Sequence, residues 1–247
     1  MKYSIEDLIQ IMNDLRDKCP WDKKQTLDSL KSLTIEEAYE LIEAIDKEDY
    51  DEIKEELGDL LLHIVFYSKI AAEKNQFNFN DVVNFLIEKL IYRHPHIYSD
   101  TKVNDEDDVK SNWEKLKSKK SNKGILDGVP NNLPTLIKTI RVQEKVASIG
   151  FDFKNINESI NKVIEEYNEF SKALISKEKT EVEEEFGDLL FSLVNYSRHI
   201  GVDSNECLKN STNKFISRYK KLEKIIENQN TSIDKFCLLY TSDAADE

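Results

Sequence analysis

The stretch Glu56-Leu57-Gly58-Asp59-Leu60-Leu61-Leu62-His63-Ile64-Val65-Phe66-Tyr67-Ser68-Lys69 returns as Glu185-Phe186-Gly187-Asp188-Leu189-Leu190-Phe191-Ser192-Leu193-Val194-Asn195-Tyr196-Ser197-Arg198, 129 residues further on. The same offset carries Glu36, Glu37 and Glu40 onto Glu165, Glu166 and Glu169. Two separate segments repeating in phase mark a duplication. From Leu57 to Ile70 the residues are apolar almost all round, which predicts a buried central helix. The chain therefore reads as all-α, two homologous helical domains joined by a linker.

Working outward, helical spacing of apolar residues predicts the other elements. Ile5, Leu8, Ile9, Met12 and Leu15 stripe a helix from about Tyr3 to Asp17, broken by Cys19-Pro20-Trp21-Asp22. Thr34 followed by Glu37 reads as a capping box opening a second helix, with Ala38, Leu41, Ile42 and Ile45 as its apolar face. A third helix is expected from about Tyr50 to Ala72. A fourth runs from about Asp81 to Arg93, with Val82, Phe85, Leu86 and Leu90 inward, ended by His94-Pro95-His96. The predicted organisation is an N-terminal domain over 1–98, a linker with one short helix over 99–133, and a C-terminal domain over 134–236. The basic run Lys115 to Lys123 reads as solvated linker surface. The last eleven residues, Cys237 to Glu247, fit no helical pattern and look like translated adapter sequence, so the second domain is expected to be cut short.

Composition excludes several classes. The 247 residues carry 35 basic and 48 acidic side chains, a net charge of −13, which disfavours a nucleic-acid polymer as partner. With 39% hydrophobic residues a core is available despite 34% charge. Six glycines and four prolines are too few for the turns of a sandwich or barrel. No apolar run approaches the ~18 residues of a membrane span, and the N-terminus lacks a signal-peptide pattern. Cys19, Cys207 and Cys237 form no CxxC pair or His/Cys cluster, so zinc and disulfides are not indicated. The expectation is a cytoplasmic protein with reduced thiols.

The repeat preserves acids where a core helix should have none. Glu37 to Glu56 and Glu166 to Glu185 both span 19 residues. Glu56 and Asp59, like Glu185 and Asp188, are three apart and share a helix face. Two such helices packed antiparallel bring four carboxylates together, which unpaired burial forbids, so a cation is expected between them. Oxygen donors without His or Cys point to Mg²⁺, with Mn²⁺ as a substitute. Gly58 and Gly187 are read as allowing close helix approach. One helix later come two cations four apart, Lys89 and Arg93, then Lys214 and Arg218, suited to phosphates bridged by the metal. No Gly-rich phosphate loop is present.

The doubled Glu-Glu-x-x-Glu and Glu-x-x-Asp pattern resembles the all-α nucleoside triphosphate pyrophosphohydrolase superfamily. Cys19-Pro20-Trp21-Asp22, Arg93-His94-Pro95-His96, Asp127-Gly128-Val129-Pro130, Gln143-Glu144-Lys145-Val146-Ala147 and Gly150-Phe151-Asp152 are similar to the tandem two-domain MazG proteins, and the likeness reaches about residue 236. The resemblance implies hydrolysis of a (d)NTP to a monophosphate and pyrophosphate, as nucleotide-pool house-cleaning. It implies metal ligation by Glu37, Glu40, Glu56 and Asp59, and by Glu166, Glu169, Glu185 and Asp188. It assigns phosphate contacts to Lys214 and Arg218, with Lys89 and Arg93 as their counterparts, and it implies a homodimer or larger assembly. Glu36 or Glu165 is a candidate general base, a role the sequence leaves open. In the family a tryptophan beyond the second domain packs on the nucleotide; no tryptophan follows Trp113 here. Alternative readings are hydrolysis of a guanosine alarmone, a nucleotide-binding regulator with one or both domains silent, and a helical dimerisation scaffold.

Overall fold

The structure, a computed structural model, describes residues 2–99, 101–103, 105, 108–109, 112–113, 116 and 124–229. These residues form nine α-helices and no strand. The chain divides into two compact units, Met1–Asn104 and Asp105–Glu247. The first holds α1 (Ile5–Lys18), a short 3-10 turn (Asp22–Lys24), α2 (Lys31–Asp46), α3 (Tyr50–Glu73), α4 (Phe79–Arg93) and α5 (Pro95–Tyr98). The second holds α6 (Thr135–Ala147), α7 (Ile156–Ser176), α8 (Lys179–His199) and α9 (Ser204–Gln229). No described helix is long and apolar enough to cross a membrane.

Local chemistry sets the helix starts. Ser4 Oγ accepts from the Asp7 amide while Asp7 Oδ2 accepts from the Ser4 amide, closing a capping box on α1. Asn78 and Asp81 do the same for α4. Asp49 Oδ1 accepts from the amides of Asp51 and Glu52 to begin α3.

In each unit the dominant packing is a helical hairpin, α2 on α3 and α7 on α8. The first unit's core is Met12, Leu30, Val65, Phe66 and Ile70, with Leu33, Leu62 and Tyr67 packed against it. Arg16 ties the loop after α1 to this core. Its guanidinium sits 5.6 Å from the Phe66 ring centre, pairs with Glu73 at 2.6 Å and donates to the carbonyls of Asp22 and Gln25.

Three readings are corrected here. Thr34 does not cap α2: the helix begins at Lys31 behind Leu30, and Thr34 lies inside it with Oγ1 on the Leu30 carbonyl, 2.9 Å away. Glu37 is thereby freed from a capping role. The central helix is not buried all round. Val65, Phe66 and Ile70 face the core, but Leu57, Leu61 and Ile64 are exposed, and so are Phe85, Leu86 and Leu90 on α4 and Ile42 and Ile45 on α2. A hairpin with apolar residues on both sides needs two covering layers, and one unit supplies only one. Gly58 and Gly187 make no close approach either: a Cβ at each would meet nothing within 4 Å. The basic run over 115–123, Leu116 apart, and the tail over 237–247 lie outside the described residues, and so does half of the expected linker helix.

Candidate metal centre

Antiparallel packing of α2 on α3 sets Glu37 and Glu40 opposite Glu56 and Asp59. One carboxylate oxygen each from Glu37, Glu40 and Glu56 lies within 4.8 Å of the others. Burial, then the charges of Asp59, Glu40 and Glu56, push the Glu37 carboxyl above the usual range. Burial, then Glu40 and Asp59, push Glu56 up as well. Asp59 therefore belongs to the same electrostatic cluster. The four acids repel one another, and each would be relieved by a cation.

The second copy repeats this on α7 and α8. Glu166, Glu185 and Asp188 bring ligand oxygens within 4.8 Å, and so do Glu165, Glu166 and Glu169. Glu166, common to both groups, is only 6% exposed. Burial and the charges of Glu169, Glu166 and Asp188 push the Glu185 carboxyl up. This copy holds a cation of its own. Lys162, one turn before the Glu pair, places Nζ 2.8 Å from Glu165 Oε1 and 2.6 Å from Glu166 Oε1. These two bonds hold its ammonium well above the usual lysine range. The corresponding residue of the first copy is Leu33, packed against the core.

Behind the first cluster lies a polar floor. Glu56, Asp59, His63 and Tyr67 follow one face of α3. Thr34 Oγ1 is 2.7 Å from His63 Nδ1 and 2.6 Å from Tyr67 OH. The Thr34 hydroxyl thus meets the Leu30 carbonyl, His63 Nδ1 and Tyr67 OH together. Burial keeps the His63 pKa below the usual 6.5. In the second copy Val163 and Ser192 replace Thr34 and His63, and Ser192 Oγ donates back to the Leu189 carbonyl at 2.8 Å.

Of the eight residues expected to ligate metal, three in the first copy (Glu37, Glu40, Glu56) and, in overlapping groups, four in the second (Glu166 with Glu169, and Glu166 with Glu185 and Asp188) bring ligand oxygens together, while Asp59 joins the first group through its charge on Glu37 and Glu56. The donors are all hard carboxylate oxygens in a field of their own repulsion, which fits a divalent cation such as Mg²⁺ or Mn²⁺. Glu36 is exposed beside its cluster, and Glu165 is engaged by Lys162. The charges that chiefly perturb Glu37, Glu56 and Glu185 are those of the neighbouring acids. Lys89 Nζ lies 5.7 Å from the Phe85 ring centre; Arg218 is buried and Lys214 exposed. Sequence reasoning missed Lys162 and the Thr34–His63–Tyr67 floor. Lys162 was readable, being three and four residues before two acids on one helix face. The floor was hidden by the capping-box reading of Thr34.

Several motif residues serve the scaffold. Gly150 takes φ 87° at the turn after α6. Asp152 binds Arg198 at 2.6 Å and His199 at 3.1 Å. Lys145 donates to the Ile125 carbonyl, holding the Asp127-Gly128 loop against α6.

A family model described as the MazG nucleotide pyrophosphohydrolase domain matches residues 25–98 and again 154–223, and each match contains one acid cluster. A protein of Thermotoga maritima named nucleoside triphosphate pyrophosphohydrolase/pyrophosphatase MazG is 45% identical over 227 residues, covering 90% of this chain and 86% of that one. A nucleoside triphosphate pyrophosphohydrolase of Escherichia coli is 38% identical over 233 residues, covering 90% of this chain and 88% of that one. A solved structure described as a mazG-related protein from Thermotoga maritima is 25% identical with a TM-score of 0.41, over 46% of this chain and 98% of that one.

Proposed function

The chain belongs to the MazG family of nucleotide pyrophosphohydrolases, and from that premise we propose that it hydrolyses nucleoside triphosphates, dNTPs included, to a nucleoside monophosphate and pyrophosphate. The observation that supports the reading is the twofold clustering of carboxylates across a helical hairpin, Glu37, Glu40 and Glu56 in the first copy and Glu166, Glu185 and Asp188 in the second. Water attacks the α-phosphorus in line, the α–β anhydride bond breaks, and the bridging oxygen leaves with pyrophosphate.

Glu37, Glu40, Glu56 and Asp59 would hold Mg²⁺ in the first domain, and Glu166, Glu169, Glu185 and Asp188 in the second; Mn²⁺ is a suitable substitute. When bound, the metal neutralises the triphosphate and polarises its oxygens. The protein's own groups do the rest. Glu36 or Glu165, adjacent in sequence to the ligands, is the candidate to orient and deprotonate water. Lys89 with Arg93, and Lys214 with Arg218, are assigned the departing phosphates. The apolar faces around Leu57, Leu61 and Ile64 support a homodimer or larger assembly. The two family-model matches support domains over 1–98 and 134–236 with a linker over 99–133. A nucleoside triphosphate substrate supports a cytoplasmic location.

The test is pyrophosphate release across a panel of NTPs and dNTPs, with and without Mg²⁺. Equal yields of monophosphate and pyrophosphate, abolished by chelation, are expected. Binding without product, or release of orthophosphate as the primary product, overturns the reading.

A further inference from the structure

We propose that the second domain carries a small-molecule site on the face of α8 opposite its acid cluster, a cavity for a neutral ring of pyrimidine size that presents an amide-type edge. The site lies outside the metal–triphosphate reading and does not depend on it.

A cavity of about 230 Å³ lies where α6, α8 and the start of α9 meet, with Gln143, Val194, Arg198 and Ser204 in its lining. Nine residues at ~100° each turn Val194 about 180° from Glu185 around α8, so cavity and acids occupy opposite faces. Three of its atoms are buried without a hydrogen-bond partner: Gln143 Oε1, Arg198 Nε and Ser204 Oγ. Gln143 is 2% exposed, and its Nε2 donates to the Phe191 carbonyl at 2.9 Å, which fixes Oε1 as the free acceptor. The duplicated domain has a cavity in the same place, of about 140 Å³. There Met12 stands for Gln143, each three residues after a lining isoleucine, and Phe79 stands for Ser204, each the first residue of its helix. Among the described residues, no buried side-chain atom lining that first cavity lacks a partner. Two side chains that are apolar in one copy are thus polar in the other, around a wider space. Water alone does not account for it. The volume equals about seven waters at ~30 Å³ each, every one needing two to four polar partners, while Ile140, Val194 and Val202 present hydrocarbon. An ion is disfavoured, because Arg198 is paired with Asp152 at 2.6 Å and Glu144, in the lining, with Arg141 at 2.7 Å. A flat neutral ring suits both halves. Its faces meet the aliphatic walls, and its edge donates to Gln143 Oε1 and accepts from Arg198 Nε–H, with Ser204 able to do either. Gly201, Val202 and Asp203 are exposed, so the cavity opens to solvent.

The test is a ligand-observed NMR titration of uracil into the full chain, with 1,3-dimethyluracil and inorganic phosphate as comparison probes. Gln143→Met with Ser204→Phe gives this cavity the first copy's filling, which that copy already folds around; Gln143→Met alone removes only the free acceptor. Saturable uracil binding by the parent is expected. Gln143→Met should weaken it about tenfold or more, by leaving a ring N–H unpaired, and the double variant should abolish it while its melting temperature stays at or above that of the parent. The dimethyl ring, which has no N–H to give Gln143, should bind about tenfold or more weakly to the parent and equally to Gln143→Met. No saturable uracil binding up to the solubility limit means that the cavity holds water only, and overturns the proposal. Uracil affinity unchanged in the variants puts the binding elsewhere and overturns it as well. Equal affinity of the parent for both rings removes the polar edge, and phosphate binding that the double variant loses makes the site one for anions; either result refutes the neutral-ring assignment.

Discussion

Replacing Thr34 by valine keeps the side chain's shape and deletes one hydroxyl. That hydroxyl is the hub of the floor beneath the first acid cluster, 2.9 Å from the Leu30 carbonyl, 2.7 Å from His63 Nδ1 and 2.6 Å from Tyr67 OH. Without it, Nδ1 of buried His63 loses its hydrogen-bond partner, at a cost of about 1–3 kcal/mol. Half-buried Tyr67 adds less, because water reaches it. The sum, about 2–4 kcal/mol, is a large share of the ~5–15 kcal/mol that holds a domain folded. For a unit of this size it lowers melting by about 10 °C or more. Thr34→Ser keeps the hydroxyl and loses one methyl, worth about 1 kcal/mol. The second copy shows the other solution: Val163 coexists with Ser192, whose hydroxyl bonds back to its own helix. Thr34→Val combined with His63→Ser should therefore cost less than the two changes added, with a coupling of about 1 kcal/mol or more. Native-state hydrogen exchange of the α2 and α3 amides in the full chain reads this unit without assuming one transition for the whole molecule. A Thr34→Val stability within about 0.5 kcal/mol of the parent, or strict additivity in the double variant, refutes the network.

Three further outcomes are expected. With the first site silenced by Glu56→Gln and Asp59→Asn, adding Glu185→Gln and Asp188→Asn takes Mg²⁺-dependent pyrophosphate release to background while helical circular dichroism is retained; surviving turnover removes the ligand assignment. Mg²⁺ at ~100 times its dissociation constant stabilises the parent by about 2.7 kcal/mol per linked site, a gain reversed by chelation and lost in that quadruple variant. Metal-free stability depends on pH with two opposed signs. Glu37, Glu56 and Glu185 have raised pKa values, so their contribution is present at low pH and is lost as pH rises through those values. His63 has a lowered pKa, so its contribution is full above the unfolded value of 6.5 and fades as pH falls towards the folded one. In His63→Ser, the urea midpoint of metal-free protein should thus fall as pH rises above the ordinary glutamate value of 4.5, and Mg²⁺ should cancel the trend; a midpoint rising with pH there contradicts the acid-cluster account.

Much of this molecule was legible because the chain states its plan twice. The offset of 129 residues located both hairpins and both sets of ligands before any geometry was known. Periodicity failed where one helix serves two neighbours. Phe85, Leu86 and Leu90 have core spacing but are exposed, since spacing reports that a face needs cover and not which layer covers it. Thr34 misled for a related reason: a Thr three residues before a Glu fits a capping box and an interior hub alike. Only the position of the Leu30 carbonyl separates the two.

What divergence has spared separates chemistry from support. The acids recur at every position, while the residues behind and before them do not: Thr34 and His63 face Val163 and Ser192, and Leu33 faces Lys162. Packing alone would have favoured the reverse, because mutually repelling carboxylates destabilise each unit and a buried polar floor is costly to exchange piecemeal. The retained acids are therefore held by something that binds them, whereas the floors needed only to be internally satisfied. Each floor achieves this differently, one through a three-way bond at Thr34 and the other through a serine turned back on its helix. The two centres thus present one ligand set on two electrostatic backgrounds, uncompensated in the first domain and lysine-compensated in the second. Their metal affinities should differ even though their ligands do not, with the uncompensated first centre filling at lower Mg²⁺. Two distinguishable binding steps in a Mn²⁺ titration of the parent are the corresponding observable, and a single step of doubled stoichiometry would show that Lys162 leaves the carboxylates at no cost.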